Sequence, residues 1–162
     1  MTKKLLILIM IIALLCVFSA CPANGDQNSF ENEDNQPEQE EITKMYITIY
    51  GNKLEVTLEN NASVKALVEL LKQGDITYTA ADYGGFEKVG YIGHSLPTND
   101  THVTTQSGDV VLYQSNQICI MVGSNSWSYT RIGKINGYSS SQLKKIIGIT
   151  GNDSAEVTLS LN

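Results

Sequence analysis

Histidine is nearly absent from this chain: His94 and His102 are its two. They lie eight residues apart in a polar stretch, GHSLPTNDTH, residues 93–102. A protein metal site draws on three or four ligands, and no cysteine or carboxylate cluster joins these two. They therefore read as exposed loop residues, with neither a metal nor a cofactor expected. No Gly-x-Ser-x-Gly turn and no glycine-rich phosphate loop occurs, so the common hydrolase and nucleotide signatures are missing. Basic charge is also scarce, with 11 Lys and Arg against 17 Asp and Glu and a net charge of −6. That balance argues against nucleic acid and against electrostatic attraction to anionic lipid.

There is one long apolar run, LLILIMIIALLCVF at residues 5–18, behind Lys3 and Lys4. It falls short of the ~20 residues a membrane span needs. Its length and the small Ser19 and Ala20 after it are those of a secretory signal. Phe18-Ser19-Ala20 leading into Cys21 resembles a bacterial lipoprotein cleavage site, and the resemblance implies a lipid on Cys21. Cys16 fits less well, because bulky Leu14 and Leu15 precede it. Ordinary signal cleavage, leaving Cys21 a spare thiol, is the alternative. On the lipoprotein reading the chain is exported and held to the cell membrane. Two or more acyl chains on one residue anchor firmly where a single chain is marginal. Cys119 is then the one cysteine left over, so no disulfide can form within the mature chain.

The remaining sequence divides by composition. Residues 22–44 carry Asp26, Glu31, Glu33, Asp34, Glu38, Glu40 and Glu41 against Lys44, with few apolar residues. Such a segment cannot bury enough surface to offset its ordering entropy, and it reads as an acidic, disordered tether. A flexible coil of that length spans roughly 25–30 Å. Residues 45–162 hold 10 acidic and 8 basic residues, a net −2, and carry the fold.

Within 45–162 the hydrophobic period is mostly two. MYITIY (45–50) and KLEVTLE (53–59) alternate around Gly51-Asn52, the pattern of a hairpin. Val64, Leu67, Val68 and Leu71 follow at helical spacing behind Asn60 or Asn61 as cap, and predict a helix over about 62–73. Residues 75–107 are less regular, apart from a strand FEKVGYI (86–92). DVVLY (109–113) and ICIMVG (118–123) form a second hairpin and are apolar on both faces, so both faces should be covered. YTRIGKI gives a further strand. SSSQLKKIIG gives a short helix capped by Ser140 or Ser141, and AEVTLSL (155–161) a last strand. About seven strands and two helices result. Sequential hairpins imply antiparallel pairing, which predicts a mainly β fold: a closed or half-closed β-barrel plugged by two short helices.

Three places invite functional readings. Gly84-Gly85 makes either a tight turn or room for a ligand against the backbone. Cys119, among Ile118, Ile120 and Met121, is a small buried hydrophobe or a reactive thiol. In SNSWSYTRIGKI (124–135), Trp127 and Tyr129 share a strand face that Arg131, the chain's one arginine, continues. That face is either a groove with aromatic walls and a guanidinium for a carboxylate or carbonyl, or structural packing with Arg131 paired to an acid such as Asp109. Phe86, Lys88 and His94 join the groove if the 86–97 segment lies alongside. The candidate ligand site is thus Phe86, Lys88, His94, Trp127, Tyr129 and Arg131, with no catalytic residue assigned.

GDVVLYQSNQICIMVGSNSWSYTRIGKI, with YGGFEKVGYIGHSLPTND upstream, resembles the bacterial cyclophilin-like domain family over essentially all of 45–162. The resemblance implies a small closed β-barrel with two helices and no particular activity. Members occur as lipoproteins or joined to flavodoxin-like domains. True cyclophilins, the peptidyl-prolyl isomerases, resemble the chain less. Phe86-Glu87-Lys88-Val89 stands where they carry Phe-His-Arg-Val, and lysine lacks arginine's planar fork. Gln117-Ile118-Cys119 keeps the glutamine of their Gln-Phe-Phe and loses both aromatics. The expectation is a non-catalytic module binding a peptide or small molecule. A divergent isomerase acting on exported proteins and a structural accessory domain are the alternatives.

Overall fold

The computed structural model describes residues 41–151 and 153–162. The signal segment, Cys21 and most of the acidic segment lie outside the described residues. The elements run β1 (Lys44–Ile49), β2 (Asn52–Leu58), α1 (Ala62–Leu71), β3 (Ile76–Tyr83), β4 (Glu87–Tyr91) and β5 (Thr101–Thr104). They continue with β6 (Asp109–Tyr113), β7 (Gln117–Met121), β8 (Ser126–Ile135), α2 (Ser140–Ile146) and β9 (Ser154–Ser160).

Eight strands form an antiparallel ring in the order β2-β1-β9-β3-β4-β7-β6-β8. β8 closes it on β2 through Val56↔Ile135, Thr57↔Lys134 and Leu58↔Gly133. Closure removes the exposed edges that an open sheet would leave. It depends on Gly133, where a Cβ would sit 2.3 Å from the Thr57 carbonyl oxygen. β5 lies outside the ring, paired along the first half of β8 from Thr101↔Tyr129 to Thr104↔Ser126.

The period-two pattern fills the barrel. Met45, Ile47 and Ile49 of β1 meet Val110 and Leu112 of β6, Ile118 and Ile120 of β7, and Val157 and Leu159 of β9 in one buried cluster. The helices add Leu67, Leu71 and Leu143 to the same cluster. Asn61 caps α1, its side chain accepting from the Val64 amide at 3.0 Å and donating to the Arg131 carbonyl at 2.7 Å. α2 is capped one residue earlier than the sequence suggests, by Ser139, in a reciprocal box with Gln142.

A second, smaller cluster lies on the opposite face of the same strands. It joins Val111, Cys119, Met121 and Tyr129, with Val89, Val103 and Tyr113 against them. This is why β6 and β7 read as apolar on both faces. The first hairpin turns at Tyr50-Gly51 rather than Gly51-Asn52, both with positive φ (47° and 74°), and Asn52 already pairs with Ile49. β3 and β5 raise the strand count among the described residues to nine, two more than the sequence suggests.

Candidate functional site

The site is built by the alternation of β4. Glu87, Val89 and Tyr91 sit opposite Met121, Cys119 and Gln117 of β7 and share that strand's outer face. Lys88 and Gly90 pair with Ile120 and Ile118, whose side chains belong to the barrel core. A groove of ≈ 600 Å³ opens on the outer face. β4 contributes Glu87 and Val89 to it, and β8 contributes Trp127 and Tyr129. Tyr113 and Gln117 come from the ends of β6 and β7, Asn125 from the loop before β8, and Tyr83 and Phe86 from the β3–β4 turn.

That turn is the Gly84-Gly85 pair, with φ of 59° and 72° and the Phe86 amide donating to the Tyr83 carbonyl at 3.3 Å. Two consecutive left-handed residues are what a mirror-image hairpin turn requires. Gly84 has a second reason: a Cβ there would meet the Phe86 ring at 2.2 Å. The Phe86 carbonyl in turn accepts from the amides of Val122 (2.8 Å) and Gly123 (3.0 Å), which fixes the turn over the groove. Tyr83 and Phe86 meet edge-to-face with ring centroids 6.0 Å apart, as do Tyr113 and Tyr129. Trp127 is 55% and Tyr83 63% exposed. Tyr129 is buried, and its hydroxyl accepts from the Asn125 side-chain amide at 2.9 Å.

Among the described residues Glu87 is the one ionisable carboxyl that lines the groove, and it is 5% exposed. Its Oε2 has no hydrogen-bond partner among the described residues. Burial pushes its pKa up to about 7, against a hydrogen bond from the Cys119 thiol that lowers it. Burial and the Glu87 charge push the Cys119 thiol well above its ordinary value. Cys119 is thus a buried, protonated thiol, far from the thiolate character that reactivity needs.

Three of the six residues expected in the groove are brought together there: Phe86, Trp127 and Tyr129. Lys88 is not. Phe86 belongs to the turn, so strand alternation starts at Glu87 and turns Lys88 away from the groove. Its Nζ lies 2.9 Å from Asp82 Oδ1, both side chains fully buried, and it donates to the Gly148 carbonyl at 3.2 Å. Asp82 Oδ2 accepts from the amides of Thr150 (2.8 Å) and Gly151 (2.9 Å). Burial raises the Asp82 pKa, but the Lys88 ion pair and the hydrogen bonds from the two amides outweigh it and hold the carboxyl below its ordinary value. The pair fastens the 148–151 loop to β3 and β4. Arg131 continues the Trp127–Tyr129 strand but stands 3.7 Å from Asp109, which also takes Lys134 at 2.6 Å, and it does not line the groove. His94 is exposed in the 93–100 loop and does not line it either. Among the described residues no group of three or more His, Cys, Asp or Glu side chains is placed to hold a metal ion.

The sequence reading missed Glu87, Tyr83, Tyr113, Gln117 and Asn125. The first would follow from the β4–β7 register, since Glu87 is the acid that alternates with Val89 on the face of Cys119. The others stand at strand ends, where period-two patterns stop.

A sequence model described as the cyclophilin-like family matches residues 47–160. No curated protein matches the chain. Among solved structures, the hypothetical protein AF2241 from Archaeoglobus fulgidus superposes with a TM-score of 0.55 at 17% identity, covering 74% of this chain and 95% of that one. McbB, in complex with tryptophan, superposes with a TM-score of 0.51 at 15% identity, covering 72% of this chain and 44% of McbB. At these identities the two structures share the fold. The chain belongs to the cyclophilin-like family.

Proposed function

We propose that this cyclophilin-like domain is a non-catalytic binding module whose ligand, a peptide segment or a small molecule, lies in the outer groove. The observation that carries the reading is the convergence of five aromatic side chains from three separate parts of the chain on one open hollow outside a closed barrel. The barrel has its own core and does not need them: Trp127 and Tyr83 leave more than half their surface in water. Exposed aromatics gathered around a concavity with a few polar groups are the usual make-up of a recognition site. Catalysis finds less support. Lys88, which stands where an isomerase has arginine, is committed to Asp82, and the neighbouring thiol is held protonated.

The module is exported and carried at the cell membrane on a lipid at Cys21, with residues 22–43 as spacer. The signal-like run at 5–18 and the small residues before Cys21 support this. Fatty-acid labelling that disappears in Cys21→Ser tests it; labelling retained by that variant refutes it.

The binding reading is tested by amide and indole NMR shifts of residues 21–162 carrying Cys21→Ser, titrated with Xaa-Pro peptides and free amino acids. Tryptophan belongs among the probes, since a protein of the same fold holds it. Saturable shifts at Trp127, Tyr129 and Val89 are expected. Shifts confined to other surfaces would overturn the reading. Accelerated cis–trans exchange would replace it with the isomerase.

A further inference from the structure

We propose that the groove selects an organic ammonium ion, with Glu87 as counter-charge and Tyr83, Phe86, Trp127 and Tyr129 as its aromatic walls. This rests on the binding-module reading and names the ligand's chemistry. The cation is either a free amine or an amine-bearing side chain of lysine type within a peptide.

The argument starts from Glu87. A buried carboxyl with an oxygen lacking any hydrogen-bond partner is costly, and such groups in native structures call for a specific reason. None of the ion pairs among the described residues includes Glu87. Lys88 beside it faces the barrel and belongs to Asp82, while Arg131 and Lys134 both face Asp109. Among the described residues no lysine or arginine lines the groove. The protein thus surrounds a buried acid with aromatic rings and withholds its own cations from it.

The rings supply the second half. A cation is drawn to the negative face of an aromatic ring, most strongly to tryptophan. The Tyr83–Phe86 and Tyr113–Tyr129 pairs meet at 87° and 67°, so the rings are set as walls at steep angles and not as one flat stack. An anionic ligand would face the Glu87 charge at close range. A neutral apolar ligand, such as a proline ring, would cover the carboxyl and leave it unpaired. An ammonium answers both the carboxylate and the ring faces.

Binding is then linked to protons. The titratable groups facing Glu87 are Cys119 from β7 and Tyr129 from β8, with Tyr113 from β6 behind Tyr129. Burial holds the Cys119 thiol and the Tyr129 phenol above their ordinary values, so neither is charged near neutrality. Glu87 alone changes charge there, with its pKa pushed up to about 7. The cation requires the ionised carboxylate. Affinity therefore rises with pH through about 7 and levels above it, and at pH 6 binding releases most of a proton.

The test is calorimetry on the mature chain with Cys21→Ser, using butylammonium for a free cation and an acetylated, amidated tripeptide with central lysine for a side chain. An alkyl ammonium stays protonated across pH 6 to 9, so the ligand itself does not titrate. The neutral isosteres are 1-butanol and the same tripeptide with 6-hydroxynorleucine. The expected result is at least about tenfold preference for cation over isostere, proton release at pH 6 that vanishes at pH 9, and loss of the preference in Glu87→Gln. Tighter binding of one cationic probe identifies the source. The proton release is read on the unmutated groove and needs no variant to fold. Equal binding of cation and isostere, with Trp127 shifts, overturns the ammonium proposal and leaves the binding module standing. Silence at Trp127 towards every probe, Xaa-Pro peptides and amino acids included, overturns both.

Discussion

Replacing Lys88 by methionine should cost the domain about 3–5 kcal/mol while leaving ligand affinity in the groove unchanged. The magnitude follows from what the ammonium touches. Its partner Asp82 Oδ1 is 2.9 Å away and neither side chain reaches solvent, so deleting the cation leaves a buried carboxylate with only its two amide donors. Removing one member of a buried pair is the expensive way to break it; the hydrogen bond to the Gly148 carbonyl is lost as well. Against a typical stability of about 5–15 kcal/mol, such a loss is a large fraction of the total. A melting temperature lower by roughly 10–20 °C would accompany it. The double variant Asp82→Asn with Lys88→Met should recover part of the loss, because the stranded charge goes too. Urea unfolding followed by circular dichroism measures the stability, and calorimetry with a groove ligand measures the affinity at a temperature where the variant is folded. A loss below about 1 kcal/mol, or a fall in affinity without one, would refute the structural assignment of Lys88.

The other expectations concern the groove. Glu87 favours the fold while protonated; its folded pKa lies above the ordinary 4.5, so this contribution is complete below 4.5 and is lost as pH rises to about 7. Up to about 3 kcal/mol of stability should drain away over that window, and Glu87→Gln should flatten the profile, checked by urea midpoints at stepped pH. Asp82 has the opposite sign: its stabilisation is present above its ordinary value of 3.8 and is lost as pH falls through its lower folded value. Gly84→Ala must strain a φ of 59° and push the Phe86 ring, so it should cost roughly 1–3 kcal/mol and weaken ligand binding together. Trp127→Ala, at a residue more than half exposed, should change stability by less than about 1 kcal/mol yet lower affinity about tenfold or more.

Much of the fold is legible because its strands bury one face. In β1 and β2, Met45, Ile47, Ile49, Leu54 and Val56 alternate cleanly and all end in the barrel core. The helix at Ala62–Leu71 follows from its 3–4 spacing and Asn61. β3 hides because ITYTAADY spends its positions on Thr, Ala and Asp, and β5 because THVT has one apolar residue and pairs outside the ring. The site is legible in part for the same reason. Trp127 and Tyr129 lie within one strand, where spacing fixes the face. Phe86 and Lys88 show the same spacing, but the chain turns at Phe86, and the face passes to Glu87. No local pattern reveals that shift; it appears only when β4 is set in register with β7. Arg131 was readable either way, and the nearby Asp109 takes it.

Trp127 is the chain's one tryptophan, so its fluorescence reports on the groove alone. Titrating that emission with Xaa-Pro peptides, amino acids and alkylammonium ions tests the central claim most directly. A saturable change for at least one of them, carrying the same midpoint as calorimetry, is the predicted result. Emission that stays constant while calorimetry detects binding would place the ligand elsewhere and contradict the account.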